Sequence, residues 1–176
     1  MSDSAKKRKI PVGLTLIYLL LVIGGGIGVS MALLREASIQ NDLSQLTYIG
    51  LVILLNAGTA WVGFCIWKGD SRSYRWARLI FLLQVPVLSF SKLTYEFYTG
   101  AFLGLTFSQE AASKLNLNLE LGSLTSLQIS PGIHGLIVGV NLVALAALLY
   151  LRALGAQEGR SGAVAERAYE EPMHGS

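Results

Sequence analysis

Apolar residues fall into four stretches, each about as long as a helix that crosses a lipid bilayer. The stretches are Pro11–Leu34, Leu46–Trp67, Leu79–Tyr98 and Ile133–Leu151. A hydrocarbon layer roughly 30 Å thick needs about 20 helical residues, so all four are long enough to span it. The pattern predicts an all-α membrane fold, a bundle of four transmembrane helices.

The periodicity changes from helical to twofold between the third and fourth stretches. Residues 115–121 alternate strictly between leucine and Asn, Asn or Glu, and residues 103–107 and 127–129 alternate more briefly. A three-residue loop, Gly122–Leu124, would pair Leu119 with Leu127 and keep the leucines on one face. The sequence therefore predicts a small extracytoplasmic antiparallel β-meander over about residues 99–131. Its leucine face should lie against the membrane or the outer end of the bundle.

The basic residues predict the orientation. They cluster before the first stretch (Lys6–Lys9), between the second and third (Lys68–Arg78) and after the fourth, whereas the other side carries only Arg35 and Lys114, with Lys92 near its boundary. Basic residues accumulate in cytoplasmic connections, so both termini should be cytoplasmic. We expect a multi-pass protein of a bacterial cytoplasmic (inner) membrane.

A competing interpretation is that the first stretch belongs to a cleaved signal peptide. Its apolar run is longer than the 7–15 residues typical of such segments and is rich in glycine, which favours a retained helix. Composition supports the membrane class, since 52% of residues are hydrophobic and 14% charged. Residues 1–154 then form one membrane domain, and the Gly-, Ala-, Glu- and Arg-rich tail 155–176 should be disordered.

Polar residues within the apolar stretches are the candidate site, because ionisable or amide groups are costly there. They are Asn56, Lys92, Glu96, His134 and Asn141. Lys92 and Glu96 stand four residues apart and would share a helix face, either as an internal ion pair or as part of an ion or substrate path. Asn56 and Asn141 should lie at matching depth and hydrogen-bond each other. His134, at the outer boundary, should be solvated or hydrogen-bonded.

Small and basic residues suggest two further roles. Pairs of glycines four residues apart, Gly24 with Gly28 and Gly135 with Gly139, are typical of close helix packing. Basic and aromatic residues alternate in the loop before the third stretch and should anchor it at lipid headgroups rather than bind nucleic acid. These lipid-interface residues are Lys68, Arg72, Arg75, Trp76 and Arg78.

The chain lacks the residue patterns of common catalytic and metal sites. It has one cysteine, Cys65, and two distant histidines, without the spacing of a metal motif. We therefore expect no metal, no cofactor and no enzymatic activity. The favoured function is an accessory or scaffold subunit in the bilayer that binds another membrane protein or a second copy. The alternative is a small transporter or channel component whose intramembrane polar residues line a path.

Overall fold

A computed structural model describes residues 10–36, 43–90, 93–109, 114–129 and 136–170. The helices are α1 (Val12–Glu36), α2 (Leu43–Trp67), α3 (Ser73–Gln84) and α4 (Leu142–Glu170). The strands are β1 (Pro86–Phe90), β2 (Leu93–Ser108), β3 (Lys114–Ile129) and β4 (Ile137–Asn141). The four strands form one antiparallel sheet that interrupts the series of helices between α3 and α4.

The prediction of an all-α bundle of four spanning helices is wrong. Among the described residues, two helical segments are long and apolar enough to cross a membrane, Val12–Leu34 and Gln45–Trp67. The predicted third span is divided between α3, β1 and β2. The predicted fourth span is divided between β4 and α4, and residues 133–135 lie outside the described part of the chain.

Pro86 is the physical reason why α3 stops short. Proline has no amide hydrogen and its ring obstructs the preceding helical turn, so it ends α3 and begins β1. The carbonyl groups freed at this end find partners in the sheet. The Tyr95 hydroxyl donates to the Leu83 oxygen over 2.6 Å, and the Asn141 amide donates to the Val85 oxygen over 2.8 Å.

The sheet curls because β2 pairs at both of its ends with neighbouring short strands. The strand order is β1-β4-β2-β3, and β1 also pairs with the start of β2. Closing β1, β4 and β2 on one another requires a bend in β2. The bend lies at Gly100, whose φ of 88° suits glycine and which faces Gly122 of β3, with a φ of 141°.

The predicted turn at Gly122–Leu124 is also wrong, because β3 continues straight through it. Leu119 pairs with Leu103 rather than with Leu127, and Leu127 pairs with Tyr95. The long β2–β3 hairpin still places the leucines of residues 115–121 on one face. The alternating residues therefore do form a strand. Its partner is β2, which begins inside the segment that the sequence assigned to the third spanning helix.

Helix α1 contacts both the other helices and the sheet. Its N-terminal half packs in an apolar core with the other three helices, formed by Leu14, Ile17, Leu21, Ile66, Ala77, Phe81, Ala144, Ala147 and Leu151. Farther along α1, a Cβ on Gly24 would lie 2.5 Å from the Thr99 carbonyl carbon, so helix and strand are in backbone contact. The C-terminal end of α4 overlaps the tail predicted to be disordered, where alanine, glutamate and arginine favour helix.

Candidate functional site

Three wholly buried amide side chains lie where the helices meet the β2–β3 hairpin. Asn56 comes from α2, Gln84 from the end of α3, and Asn141 from the junction of β4 and α4. A buried amide is costly unless it is hydrogen-bonded. Their partners therefore show what holds the sheet against the helices.

Asn56 joins α2 to β3. Its Nδ2 donates to the Val52 carbonyl oxygen over 2.9 Å, and its Oδ1 accepts from the Ser123 hydroxyl over 2.9 Å. The Ser123 oxygen also lies 3.2 Å from the Tyr98 carbonyl oxygen, an alternative acceptor for the same proton. A Cβ on Gly28 would collide with Asn56 Oδ1 and lie 2.7 Å from Ser123 Oγ, so glycine leaves room for this contact.

Gln84 binds the neighbouring strand at the same rung of the ladder. Its Nε2 donates to Thr99 Oγ1 over 2.8 Å, and its Oε1 accepts from the Thr99 amide over 3.3 Å. Thr99 is the direct partner of Ser123 in the β2–β3 register. Two helices thus hold one rung of the hairpin through uncharged hydrogen bonds.

Asn141 is the N-cap of α4. Its Oδ1 accepts from the amides of Val143 and Ala144 over 3.1 and 3.3 Å, and from the Leu103 amide over 3.4 Å. Its Nδ2 is buried and has no hydrogen-bond partner within the described part of the chain. The expected bond between Asn56 and Asn141 is not formed in the structure, because Asn141 begins a helix instead of lying in the middle of one.

Lys92 of the predicted Lys92–Glu96 pair lies outside the described residues. Glu96 lies in β2 and not on a helix face. Burial raises the pKa of the Glu96 carboxyl, and the carboxylate of Glu120 raises this pKa further. The Tyr98 hydroxyl donates a hydrogen bond to that Glu120 carboxylate. His134 and Gly135 also lie outside the described part of the chain.

The predicted packing glycines that the structure describes make close contacts, with strands at Gly24 and Gly139 and with both α2 and β3 at Gly28. Gly24 touches β2, and a Cβ on Gly139 would lie 2.5 Å from Thr106 Cγ2 on that same strand. The sequence indicated a close backbone approach at both positions. It misidentified the neighbour because the third and fourth spans were taken as helical throughout.

The predicted lipid-interface residues surround the connection between α2 and α3. Four of them are exposed, and Arg78 is half-buried and donates from Nε to the Tyr74 carbonyl oxygen over 3.3 Å. The exposed four are Lys68, Arg72, Arg75 and Trp76. The Lys68 ammonium lies 4.5 Å from the centre of the Phe64 ring. Headgroup binding by this cluster stays a prediction.

The most exposed apolar surface of the sheet is a segment we call the leucine arm, residues 115–121 of β3. All seven residues are exposed, and its four leucines are 66–82% exposed. They are Leu115, Leu117, Leu119 and Leu121. β3 is the edge strand of the described sheet, so its outer edge has no paired strand there. Among the described residues, none covers the leucine face that the sequence predicted to lie against the membrane or the bundle.

The three buried amides form hydrogen bonds with hydroxyl and backbone groups. Such uncharged groups can hold and orient chain segments, but they do not transfer protons readily. Within the described ranges, no group of three or more His, Cys, Asp or Glu side chains could hold a metal ion. Comparison of the chain with family models, with curated proteins and with solved structures gave no match.

Proposed function

We propose that this chain is a non-enzymatic membrane scaffold or accessory subunit that associates with another membrane-embedded chain through the leucine arm. The observation that carries the proposal is the exposure of four alternating leucines on a strand whose outer edge has no paired strand among the described residues. Exposed edge strands of this kind are templates for pairing with a further strand. The buried amides then serve to hold the hairpin in place.

Membrane residence is supported by the surfaces of α1 and α2. Their most apolar windows are only 33% and 28% buried, whereas a core helix of a soluble protein is mostly buried. A signal sequence also meets the criterion of length and composition. The backbone contact of Gly24 with β2 and the closeness of Gly25 to Ala60 favour an α1 that stays in the folded protein. The distribution of basic residues supports the proposal that both termini are cytoplasmic.

A second copy of the chain is the partner that fits the leucine arm. If two arms pair antiparallel about a twofold axis at Asn118, Leu115 faces Leu121 and Leu117 faces Leu119 of the second copy. A shift of the axis to Leu117 or Leu119 leaves one leucine of each copy without a leucine opposite it.

The register centred on Asn118 also keeps the negative charges of the two Glu120 side chains apart. Glu120 faces Asn116 of the second copy, and at about 3.4 Å per residue the two Glu120 side chains stand about 14 Å apart along the strands. That separation exceeds the screening length of about 8 Å at physiological ionic strength. An axis at Glu120 would instead place the two carboxylates directly opposite each other, which is destabilising.

Disulfide cross-linking tests this register. In a Cys65→Ala background, Asn118→Cys should form a disulfide-linked dimer in the membrane under mild oxidation. Directly opposed Cβ atoms lie about 4.5–5.5 Å apart, close to the separation that a disulfide requires. Asn116→Cys is the matched control, because this position is also exposed but would lie about 14 Å from its counterpart in the second copy.

Replacing Leu117 and Leu119 by asparagine in the Asn118→Cys protein should reduce the cross-linked fraction at least tenfold. Both leucines are exposed, so the fold should be retained and the thermal unfolding midpoint little changed. Equal cross-linking at positions 116 and 118, or none at either, would refute the self-associating arm.

A further inference from the structure

We propose a second site, independent of the leucine arm: the cavity between α1, α2 and β3 binds a neutral, single-chain amphiphile by its hydroxyl or carbonyl head. The cavity has a volume of about 390 Å³. It lies between the C-terminal half of α1, the N-terminal half of α2 and residues 123–125 of β3. Ligand sites in proteins commonly measure about 300–1,000 Å³.

The lining divides into an apolar wall and a group of hydrogen-bonding side chains. Met31, Ile49 and Leu124 contribute to the apolar wall, whereas Asn56, Ser123 and Thr125 contribute amide and hydroxyl groups. None of the described residues that line the cavity is charged. An ionised head would therefore be desolvated there without a counter-charge, which is costly.

The Thr125 hydroxyl is the observation that points to a ligand. Its oxygen is buried and has no hydrogen-bond partner among the described residues. An unmade hydrogen bond at a buried hydroxyl is destabilising, and native proteins leave few of them. A rotation of the Thr125 side chain about χ1 would turn this oxygen toward the cavity, where a ligand hydroxyl or carbonyl oxygen could accept from it.

Tyr48 offers a second contact beside Thr125. Its hydroxyl donates to the Thr125 carbonyl oxygen over 2.8 Å, so the phenolic oxygen can still accept a hydrogen bond. An alcohol can satisfy both positions at once, since it accepts from Thr125 and donates to Tyr48. The alkyl chain would then lie along the apolar wall formed by α1 and α2.

The probes for the test are 1-dodecanol, dodecane and dodecanoate, added at equal membrane mole fractions to the full chain in lipid nanodiscs. The measurement is the thermal unfolding midpoint. Near saturation 1-dodecanol should raise it by about 5 °C or more. Dodecane lacks the head and dodecanoate carries a charge, so each should raise the midpoint much less.

Thr125→Val separates ligand recognition from general stability. The substitution preserves shape and removes the hydroxyl, so the ligand-free protein should unfold about 2–4 °C higher. The same substitution should remove most of the 1-dodecanol shift. The substitution would thus raise the midpoint of the ligand-free protein and reduce the effect of 1-dodecanol. A threonine that only packs is not expected to show both effects.

Val52→Phe provides a second variant, because it fills the cavity and leaves Thr125 in place. It too should abolish the 1-dodecanol shift. If 1-dodecanol acts no more strongly than dodecane, or if both variants retain its full effect, the site is refuted. A cavity that holds only water would give that result, with no response to any of the three probes.

Discussion

Gly24→Ala should destabilise the protein strongly, by about 3 kcal/mol, because it adds a methyl group where no atom can move aside. The new Cβ would lie 2.5 Å from the Thr99 carbonyl carbon and 2.6 Å from Gly100 Cα. Both are backbone atoms, so no side-chain rotation relieves the overlap. Helix α1 and strand β2 would have to separate, and the contacts that position the β2–β3 hairpin would weaken. Chemical denaturation in detergent, followed by circular dichroism, measures the loss.

Gly26→Ala is the matched control for this prediction. It lies two residues away on the same helix, and a Cβ there would meet nothing within 4 Å. Because alanine favours helix over glycine, this substitution should be neutral or stabilise by up to about 1 kcal/mol. Similar unfolding free energies for the two variants would show that α1 and β2 are not in backbone contact.

Asn141→Leu should cost about 3 kcal/mol through two separable effects. Loss of the side-chain oxygen removes the cap of α4, which is worth about 1 kcal/mol. It also removes the acceptor for the Leu103 amide in the partly buried surroundings of β2, and such a loss costs about 1–3 kcal/mol. The free energy of unfolding in detergent should fall by their sum.

Asn141→Ser is the control, because serine can still accept from the first amides of α4 and lacks Nδ2, which has no partner among the described residues. It should remain within about 1 kcal/mol of the unsubstituted protein. The structure also predicts that Asn56→Leu and Asn141→Leu have additive costs, since each amide has its own partners. A clearly non-additive double substitution would restore the direct amide pair that the sequence alone suggested.

Several features of the fold follow from local chemistry and could be predicted. The apolar runs of α1 and α2 are too long for strands, so helix was the expected outcome. The strict alternation over residues 115–121 predicted a strand with a leucine face, and β3 has one. The missing amide hydrogen of Pro86 explains why α3 ends there, but no local pattern indicated the change from helix to strand.

The candidate site could be predicted only in part. Asn56 and Asn141 stood out because amides are rare and costly within apolar segments, and both are buried and hydrogen-bonded. Gln84 and Thr99 were not among the predicted site residues, although a glutamine two residues before the proline that ends a helix was a usable signal. The cavity beside Thr125 could not be predicted from any local sequence pattern, because its walls come from segments far apart in the sequence.

The sequence by itself determined where apolar surface lies and where helices must break. It did not determine whether an apolar run next to such a break continues as helix or as strand, because short apolar runs suit both. Residues 86–90, 93–98 and 137–141 became strands through partners distant in sequence, such as Leu88 with Val138 and Tyr98 with Leu124. Strand preference depends on those neighbours. The tertiary structure therefore decided the fold here, through hydrogen bonds that no local pattern encodes.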